Sequence, residues 1–465
     1  MSKEYQTKEE VVDEARKILG RSLRDLMSEK DIEIAEERLV AYGTNRKGFL
    51  GGLVEEFVFG LDVNNKSEAD FGIAGVELKT NPLKSHPTKK YVSKERLVFS
   101  MINYDEITKE TWETSSFLQK NKVLLILFYL WMKERSLLDY EFKFSYLMNL
   151  LEDISDADIF QIRRDWEYIV AKIRRGEAHL LSEGDTYYLG ACTKAVNSTI
   201  VRDQPNARIP AKPRAFSLKQ QYLNYIIQKE LLGKDVNTDS IFTKVRRIES
   251  VEDAFQERFT SYIGMTDVEI RGKIGWHDGT GAKNYKRLLV NKILGVSSNR
   301  IEELEKANIT LKVITFEHTG ILRESISFPA FDYIDMLNQQ WENEESETMA
   351  DFHLLLETQK FLFVVFQKIK GSEEIVLKKT MFWNFPMKDI VEVRRVWDEA
   401  FRCIKEGRYD DLPKMSGSKV AHVRPHGKDS TDTLETPQGT REVKRCFWLN
   451  AKYIQEAIEN ADHKP

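Results

Sequence analysis

Residues 66–82, KSEADFGIAGVELKTNP, form the stretch that decides the fold. The stretch begins with turn-forming residues and continues into a predicted β-strand around Val76. Because side chains alternate between the two faces of a strand, Val76 and Leu78 are predicted to enter a core. Glu77 and Lys79 then share an open face. Asp70 lies far enough back to sit on a preceding turn or strand and return its carboxylate to Glu77.

This combination suits hydrolysis of a phosphodiester. Two carboxylates, Asp70 and Glu77, are predicted to hold a hydrated Mg²⁺ ion, which lowers the pKa of bound water and neutralises charge on the phosphate. Lys79 is predicted to orient the attacking water and stabilise the same charge. An acid followed by E-x-K also occurs by chance, and the alternative is an exposed strand face that carries a salt bridge.

Two flanking segments add candidates to this site. Residues 47–60, KGFLGGLVEEFVFG, predict a helix with a buried apolar face just before the strand. Of its two acids, either of which could be a solvated helix position, we favour Glu55 as a third carboxylate that reaches the site. Lys120 lies at the entry to an apolar strand predicted over residues 122–132 and is placed to join them.

The composition indicates a globular chain in a reducing compartment. The chain has 465 residues, 41% hydrophobic and 31% charged, and this length predicts two to four domains. No apolar run approaches the roughly 18 residues of a membrane span, and the first residues carry no apolar signal core. The three cysteines form no metal-type pair, so we expect a bacterial cytoplasmic protein. With a net charge of −4, a nucleic-acid partner needs local basic surfaces.

Three segments supply such surfaces. Residues 78–94, 204–229 and 412–428 carry several lysines or arginines and no acid. The first of them adjoins the candidate site, where a positive rim would seat phosphates. The alternatives are a solvated loop for the first segment and a basic surface helix for the second.

The second half of the chain repeats the first. IRRDWEYIVAKIRRGE from Ile162 matches VRRVWDEAFRCIKEGR from Val393, and RAFSLKQQYL from Arg214 matches RCFWLNAKYI from Arg445. VELKT from Val76 pairs with ITLKV from Ile309 in the same order. We therefore predict a duplication, with domains over residues 1–232 and 249–465 and a linker over residues 233–248.

The two copies differ at the candidate site. Thr310 stands for Glu77, Asn291 stands for Glu55, and Glu303 falls opposite Asp70, whereas Lys312 preserves Lys79. The second copy is predicted to bind the same polyanion without cutting it. The alternative is ordinary divergence into a packing domain.

Together these motifs resemble the mismatch-repair endonuclease MutH, and the full length resembles the two-domain Sau-type type IIE restriction endonucleases. The resemblance rests on Asp70, Glu77 and Lys79, together with TWETSSFLQK, DWEYIVAKI and RAFSLKQQYL. It implies a mixed α/β fold, a mixed sheet flanked by helices, in two tandem MutH-like domains. It also implies Mg²⁺-dependent cleavage of double-stranded DNA before the G of GATC, and a second domain that binds another GATC copy as an effector.

The resemblance also assigns residues. Asp70 and Glu77 would be metal ligands, Lys79 the catalytic lysine, and Glu55 and Lys120 further site residues. Cys192 and Thr193 stand where MutH has an Arg-Pro pair, which Arg424 and Pro425 show in the second copy. Ser217 stands where MutH has a tyrosine linked to adenine-methyl sensing, so we expect cleavage whether or not the adenine is methylated. The residues predicted to contact DNA are Lys194, Arg214, Ser217, Lys219, Arg424 and His426.

Two other functions stay open at this point: a MutH-like repair nickase, and a DNA-binding protein without chemistry. The expected partners are double-stranded DNA with two GATC copies and a cognate DNA methyltransferase. We expect no membrane association, and a monomer in solution is compatible with DNA looping or a DNA-induced dimer.

Overall fold

A computed structural model describes residues 4–42, 48–61, 68–194, 199–234, 236, 238–242, 249–277, 281–342 and 349–461. No helix among these residues is long and apolar enough to cross a membrane.

The first half is built on a mixed sheet and a smaller antiparallel sheet. Its elements in chain order are α1 (Lys8–Lys17), α2 (Leu23–Leu26), α3 (Glu29–Tyr42), α4 (Phe49–Leu53), β1 (Glu77–His86), β2 (Lys90–Ser93), β3 (Leu97–Met101), α5 (Ser116–Asn121), β4 (Val123–Leu130), β5 (Phe142–Asn149), α6 (Asp156–Arg174), β6 (Leu189–Thr193), β7 (Arg202–Gln204), β8 (Ala207–Ala211), β9 (Arg214–Leu218) and α7 (Gln220–Ile226). The mixed sheet has the order β2-β1-β4-β5, with β1 and β4 parallel. The smaller sheet has the order β3-β9-β6, and β7 and β8 form a hairpin.

The second half repeats this plan. Its elements are α8 (Val251–Thr260), α9 (Asp267–Ile274), α10 (Tyr285–Leu294), α11 (Glu302–Lys306), β10 (Ile309–Phe316), β11 (Ile326–Ala330), α12 (Tyr333–Leu337), α13 (Asp351–Thr358), β12 (Lys360–Lys368), β13 (Ile375–Asn384), α14 (Ile390–Lys405), β14 (Ala421–Pro425), β15 (Thr433–Glu435), β16 (Arg441–Val443), β17 (Arg445–Leu449) and α15 (Ala451–Asn460). The sheets have the orders β10-β12-β13 and β11-β17-β14, and β15 and β16 form a hairpin.

The two halves correspond strand by strand. β1 lies parallel to β4 as β10 lies parallel to β12, and in each half an antiparallel strand follows. β9 lies between β3 and β6 as β17 lies between β11 and β14. The long helices α6 and α14 hold the repeated tryptophans Trp166 and Trp397, both buried. The predicted fold class, a mixed α/β fold in two tandem copies, is confirmed.

The halves share a continuous hydrophobic core. Strand β4 is buried on both faces, as its unbroken apolar sequence predicts. Leu125 and Leu127 pack with the N-terminal helices, whereas Leu124 and Ile126 belong to a central cluster. That central cluster also contains Leu362 of β12, so apolar side chains of both halves form one buried body.

The predicted linker, residues 233–248, lies partly outside the described residues. Its described segment around Asp239 is attached to the second half, because Asp239 forms a parallel bridge with Ile301. The Glu303 carboxylate accepts hydrogen bonds from the Ser240 hydroxyl and from the backbone N–H groups of Ile241 and Phe242. Glu303 therefore holds the end of the linker.

Candidate active site

A tight turn brings Asp70 beside the start of β1. Phe71 and Val76 pair across this turn, and Gly75 adopts a φ of 65°, which glycine accommodates without strain. The Asp70 N–H donates to Glu77 Oε2 at 3.2 Å, and Asp70 Oδ2 accepts from the Leu78 N–H at 2.9 Å. The two acids are thus neighbours despite the residues between them.

The alternation predicted for β1 is only partly observed. Val76 and Leu78 enter the core formed by the N-terminal helices, as expected. Glu77 does not lie on an open face, because only 2% of the residue is exposed. The reason is that neighbouring elements, including α5 with Lys120, close over the strand end.

Two lysines contact the buried carboxylate. Lys79 Nζ donates to Glu77 Oε1 at 2.6 Å, and Lys120 Nζ lies 3.7 Å from the same oxygen. Lys79 follows Glu77 on β1, whereas Lys120 comes from α5, just before β4. Because β4 is the parallel neighbour of β1, with Leu124 opposite Glu77, the end of α5 lies over the site.

The two neighbouring acids of the preceding helix, Glu55 and Glu56, have different surroundings. Glu55 and Glu56 lie on the π-helical turn Val54–Val58 that continues α4. Both oxygens of Glu56 accept from the Arg38 guanidinium of α3, at 2.6 and 3.0 Å. Glu55 instead lies within the electrostatic influence of Asp70 and Glu77.

The three carboxylates oppose one another's ionisation. Burial, followed by repulsion from Asp70 and Glu77, raises the pKa of Glu55 to about 7. Burial also raises the pKa of Glu77, while Lys79 opposes that shift. A bound cation would therefore stabilise the ionised forms of these carboxylates.

The donor set suits a hard divalent cation. Asp70 and Glu77 offer carboxylate oxygens, which Mg²⁺ prefers, and the mutual repulsion described above would be relieved by a bound cation. Among the described residues, no three His, Cys, Asp or Glu side chains converge tightly enough to enclose a metal ion. Carboxylates from protein and oxygens from substrate together commonly complete such sites, so two protein ligands are compatible with this chemistry.

Three of the residues predicted to contact DNA are buried in this structure. Arg214, Ser217 and Lys219 are only 4%, 0% and 1% exposed, so they offer no surface to DNA. Arg214 Nη1 donates to the Ala191 carbonyl at 2.8 Å and to Glu357 at 3.1 Å. The sequence pattern of cations without acids could not show this, because the acid that pairs with Arg214 comes from the other half.

Lys219 is likewise a structural residue. Its ammonium donates to the carbonyls of Thr186 at 2.6 Å and Ala307 at 3.2 Å, joining the two halves. Burial lowers the pKa of Lys219 to about 8. Ser217, the residue on which the expectation of methylation-independent cleavage was based, is fully buried as well. Lys194 is half-buried at the end of β6, and residues 195–198 beyond it lie outside the described part.

In the first half, other residues cover the face of the β3-β9-β6 sheet on which the Ser217 side chain lies. Ser217 pairs with Gly190 of β6 and Val98 of β3. The Glu183 side chain lies so close to Gly190 that an added Cβ would approach Glu183 Cγ to 2.7 Å. Glu183 pairs with Arg96. These covering residues gave no signal in the sequence, since isolated acids and arginines are common.

The equivalent face of the second half is open. By register, Trp448 replaces Ser217, because Trp448 pairs with His422 of β14 and Ser327 of β11. The Arg424 guanidinium stacks over the Trp448 ring at 3.7 Å, and the His426 ring meets Trp448 edge-on at 5.4 Å. Arg424 and His426 are exposed, and both were predicted as DNA contacts. Trp448 was not, although the match of RCFWL to RAFSL marks its position.

A cleft of about 300 Å³ lies where the second half would carry its active site. It is lined by Thr310, Lys312, Ser327, Phe328, Pro329, Gln359, Phe361 and His426. Among the residues that the structure describes, no carboxylate lines the cleft. Asn291, which matches Glu55, is buried and donates to Asn299, and Glu303 holds the linker.

Comparison with known proteins agrees with this two-part geometry. The family model described as DNA mismatch repair enzyme MutH matches residues 59–165, which contain β1, α5 and β4. The type II restriction enzyme Sau3AI of Staphylococcus aureus is 32% identical over 98% of this chain and 99% of its own length. The chain belongs to the Sau3AI family.

Relatives of the MutH type account for one half only. The DNA mismatch repair protein MutH of Shigella flexneri serotype 5b (strain 8401) is 28% identical over 49% of this chain and 94% of its own length. MutH of Escherichia coli O139:H28 (strain E24377A / ETEC) is 27% identical over the same shares. The match to Sau3AI therefore spans both halves of this chain, whereas each MutH match covers about half of its length.

Proposed function

We propose that this protein is a type II, IIE-like restriction endonuclease that cleaves double-stranded DNA at GATC, 5′ of the G. The observation that carries the proposal is the meeting of Asp70, Glu77, Lys79 and Lys120 at the start of β1. It occurs in a chain that aligns with the type II restriction enzyme Sau3AI along nearly its whole length.

The proposed site holds Mg²⁺ through Asp70 and Glu77. When bound, this ion would lower the pKa of a water molecule and neutralise charge on the scissile phosphate. Lys79, fixed against Glu77, is positioned to orient the attacking water and stabilise the developing negative charge. Lys120 adds a second cation on the same side, and Glu55 adds a third carboxylate near the ligands.

The second half is proposed to bind a further GATC copy and to favour the active arrangement of the first. Such coupling requires contacts that differ between states. The Arg214–Glu357 ion pair is a candidate, because it joins β9 of the first half to α13, which leads directly into the cleft residue Gln359. A cytoplasmic location, a cognate methyltransferase and DNA looping or a DNA-induced dimer belong to the same proposal.

A plasmid assay distinguishes the proposal from its two rivals. Incubation of supercoiled plasmid with Mg²⁺ should give linear DNA, and sequencing of the ends should place the cut before GATC. Open circles would indicate a nickase, and unchanged plasmid would indicate a binding protein without chemistry. MutH relatives align to only about half of this chain, which weighs against the nickase.

A further inference from the structure

The cleft of the second half contains a lysine, Lys312, for which the described residues supply no acidic partner. Lys312 lies on β10 at the place that Lys79 occupies on β1, since Lys312 pairs with Phe363 of β12 and Lys79 with Ile126 of β4. Lys79 has the Glu77 carboxylate at 2.6 Å. Lys312 forms no ion pair with any described residue, and burial lowers its pKa.

The groups around Lys312 are donors and neutral side chains. Gln359 Nε2 donates to Thr310 Oγ1 at 2.6 Å, which leaves the Thr310 hydroxyl proton free to point into the cleft. His426 lines the same cleft and contacts Trp448, on which Arg424 is stacked. The cleft therefore offers a lysine, a hydroxyl and an imidazole to an incoming anion, with an arginine beside it.

Every position that supplies a carboxylate in the first half is neutral or turned away here. Thr310 replaces Glu77, Asn291 bonds to Asn299, and Glu303 accepts hydrogen bonds from the linker. In the first half, a phosphate would be repelled by three acids until a divalent cation is present. In the second half, the described residues that line the cleft would present a phosphate with the lysine and the donors and with no carboxylate.

From these contacts we infer that the cleft of the second half binds one backbone phosphate of DNA directly through Lys312, without a metal ion. This inference rests on the proposed function and makes it more specific. In this arrangement Lys312 contacts the phosphate backbone and thereby positions the DNA. Base contacts would then fall to Arg424, which is exposed, and to Trp448, on which it is stacked. It predicts that the effector copy binds DNA equally well with and without divalent cations.

Equilibrium binding of the full chain to a labelled GATC duplex in EDTA tests the lysine. Lys312→Gln should weaken binding several-fold and reduce the slope of log K against log salt by about 0.9, the value for one lost phosphate contact. A duplex without GATC should lose affinity by the same factor, because phosphates carry no sequence. Lys378→Gln, at an exposed lysine of β13, is the matched control and should bind as the unchanged chain does.

A second variant reintroduces the missing acid. Thr310→Glu places a carboxylate beside Lys312, as Glu77 lies beside Lys79, and should weaken binding in EDTA at least as much as Lys312→Gln does, because the new acid pairs with the lysine and repels the phosphate. Thr310→Gln, of similar size and uncharged, should bind in EDTA more tightly than Thr310→Glu. Thermal unfolding of each variant verifies that it is folded.

Several outcomes would overturn the inference. These are equal affinity and salt slope for Lys312→Gln and Lys378→Gln, loss of affinity for the GATC duplex alone, or Thr310→Glu binding normally in EDTA. Plasmid cleavage is scored separately. A chain that cuts GATC but shows one of these outcomes refutes only the phosphate site, whereas a chain that leaves plasmid intact in Mg²⁺ refutes the proposed endonuclease.

Discussion

At the scale of single residues, the first half concentrates charge around one buried carboxylate. Glu77 contacts Lys79, lies near Lys120 and accepts the Asp70 N–H. Burying an acid lowers the stability of the fold, because desolvation opposes its ionisation even when several partners surround it. A fold that keeps such an acid indicates a functional role for it. The raised pKa of Glu77 and of Glu55 reflects that cost.

Replacing Glu77 should separate chemistry from binding. Glu77→Ala removes a proposed ligand of an ion that contributes several kcal/mol to the transition state, so cleavage should fall by at least about 100-fold. DNA binding should persist, since the exposed cations of the second half are unchanged. Plasmid cleavage and duplex binding are measured on the same preparation, and equal loss of both would point to misfolding.

Glu55 and Glu56 form a natural matched pair. Glu55→Gln should reduce cleavage by about 10-fold or more, since the third carboxylate of the cluster is lost. Glu56→Gln should leave cleavage nearly unchanged, because it disrupts only a partly exposed pair with Arg38 that contributes at most about 1 kcal/mol to stability. Initial cleavage rates of the two variants decide the matter, and a larger effect of Glu56 would contradict the site described here.

At the scale of elements, the repeated strands and helices keep their pairing while their faces diverge. Strand β9 and strand β17 have the same neighbours, yet one face is buried under Glu183 and Arg96 and the other exposes Arg424 on Trp448. The difference arises because α13 and the strand after it pack against the first half. Glu357, on α13, meets Arg214 and Thr193 there.

The Arg214–Glu357 ion pair should make the free energy of unfolding depend on pH in the acid range. The Arg214 guanidinium, assisted by His353, holds the pKa of Glu357 at about 2, below its ordinary value near 4.5, although burial alone would raise it. A depressed pKa contributes stability that is fully present above the unfolded value and is lost as pH falls from about 4.5 towards 2. For a buried group the loss can reach about 3 kcal/mol.

Urea unfolding at pH 6 and pH 3.5 measures the effect. The unchanged chain should lose more free energy of unfolding between these pH values than Glu357→Gln does. Glu392→Gln is the control, because Glu392 pairs with Arg395 on an exposed helix face and should behave as the unchanged chain. Parallel losses in all three proteins would contradict a buried ion pair with this shift.

At the scale of the whole molecule, the two copies are joined through a common core and through buried polar contacts. Besides Arg214–Glu357, Lys306 of the second half pairs with Asp158 of the first at 2.7 Å, and both are buried. Removing one partner of such a pair leaves an unpaired buried charge and is strongly destabilising. Buried ion pairs therefore hold the two halves together in addition to the apolar contacts.

The effector role predicts a dependence on the number of sites. A plasmid with one GATC site should be cut several-fold more slowly than one with two, and an added GATC oligonucleotide should restore the rate. An oligonucleotide without GATC controls for unspecific binding. Equal rates on both plasmids, or no response to the oligonucleotide, would rule out activation through a second site.

The local sequence was enough to predict that Asp70, Glu77 and Lys79 lie together, and it was enough to predict the duplicated fold. Asp70, Glu77 and Lys79 are separated by one turn and the start of one strand, so local geometry is enough to bring them together. The repeated tryptophan helices and apolar strands likewise report local periodicity. These are short-range consequences of the order of the residues.

Which of the predicted DNA contacts face solvent depends on how the two halves pack together. Arg214, Ser217 and Lys219 match a DNA-binding pattern, yet contacts with Glu357 and Ala307 from the other half bury or neutralise two of them. Arg424 and Lys312 match equally well and remain available in the second half. These partners lie 143 and 88 residues away in the chain, and no local pattern in a strand records which element will pack over it.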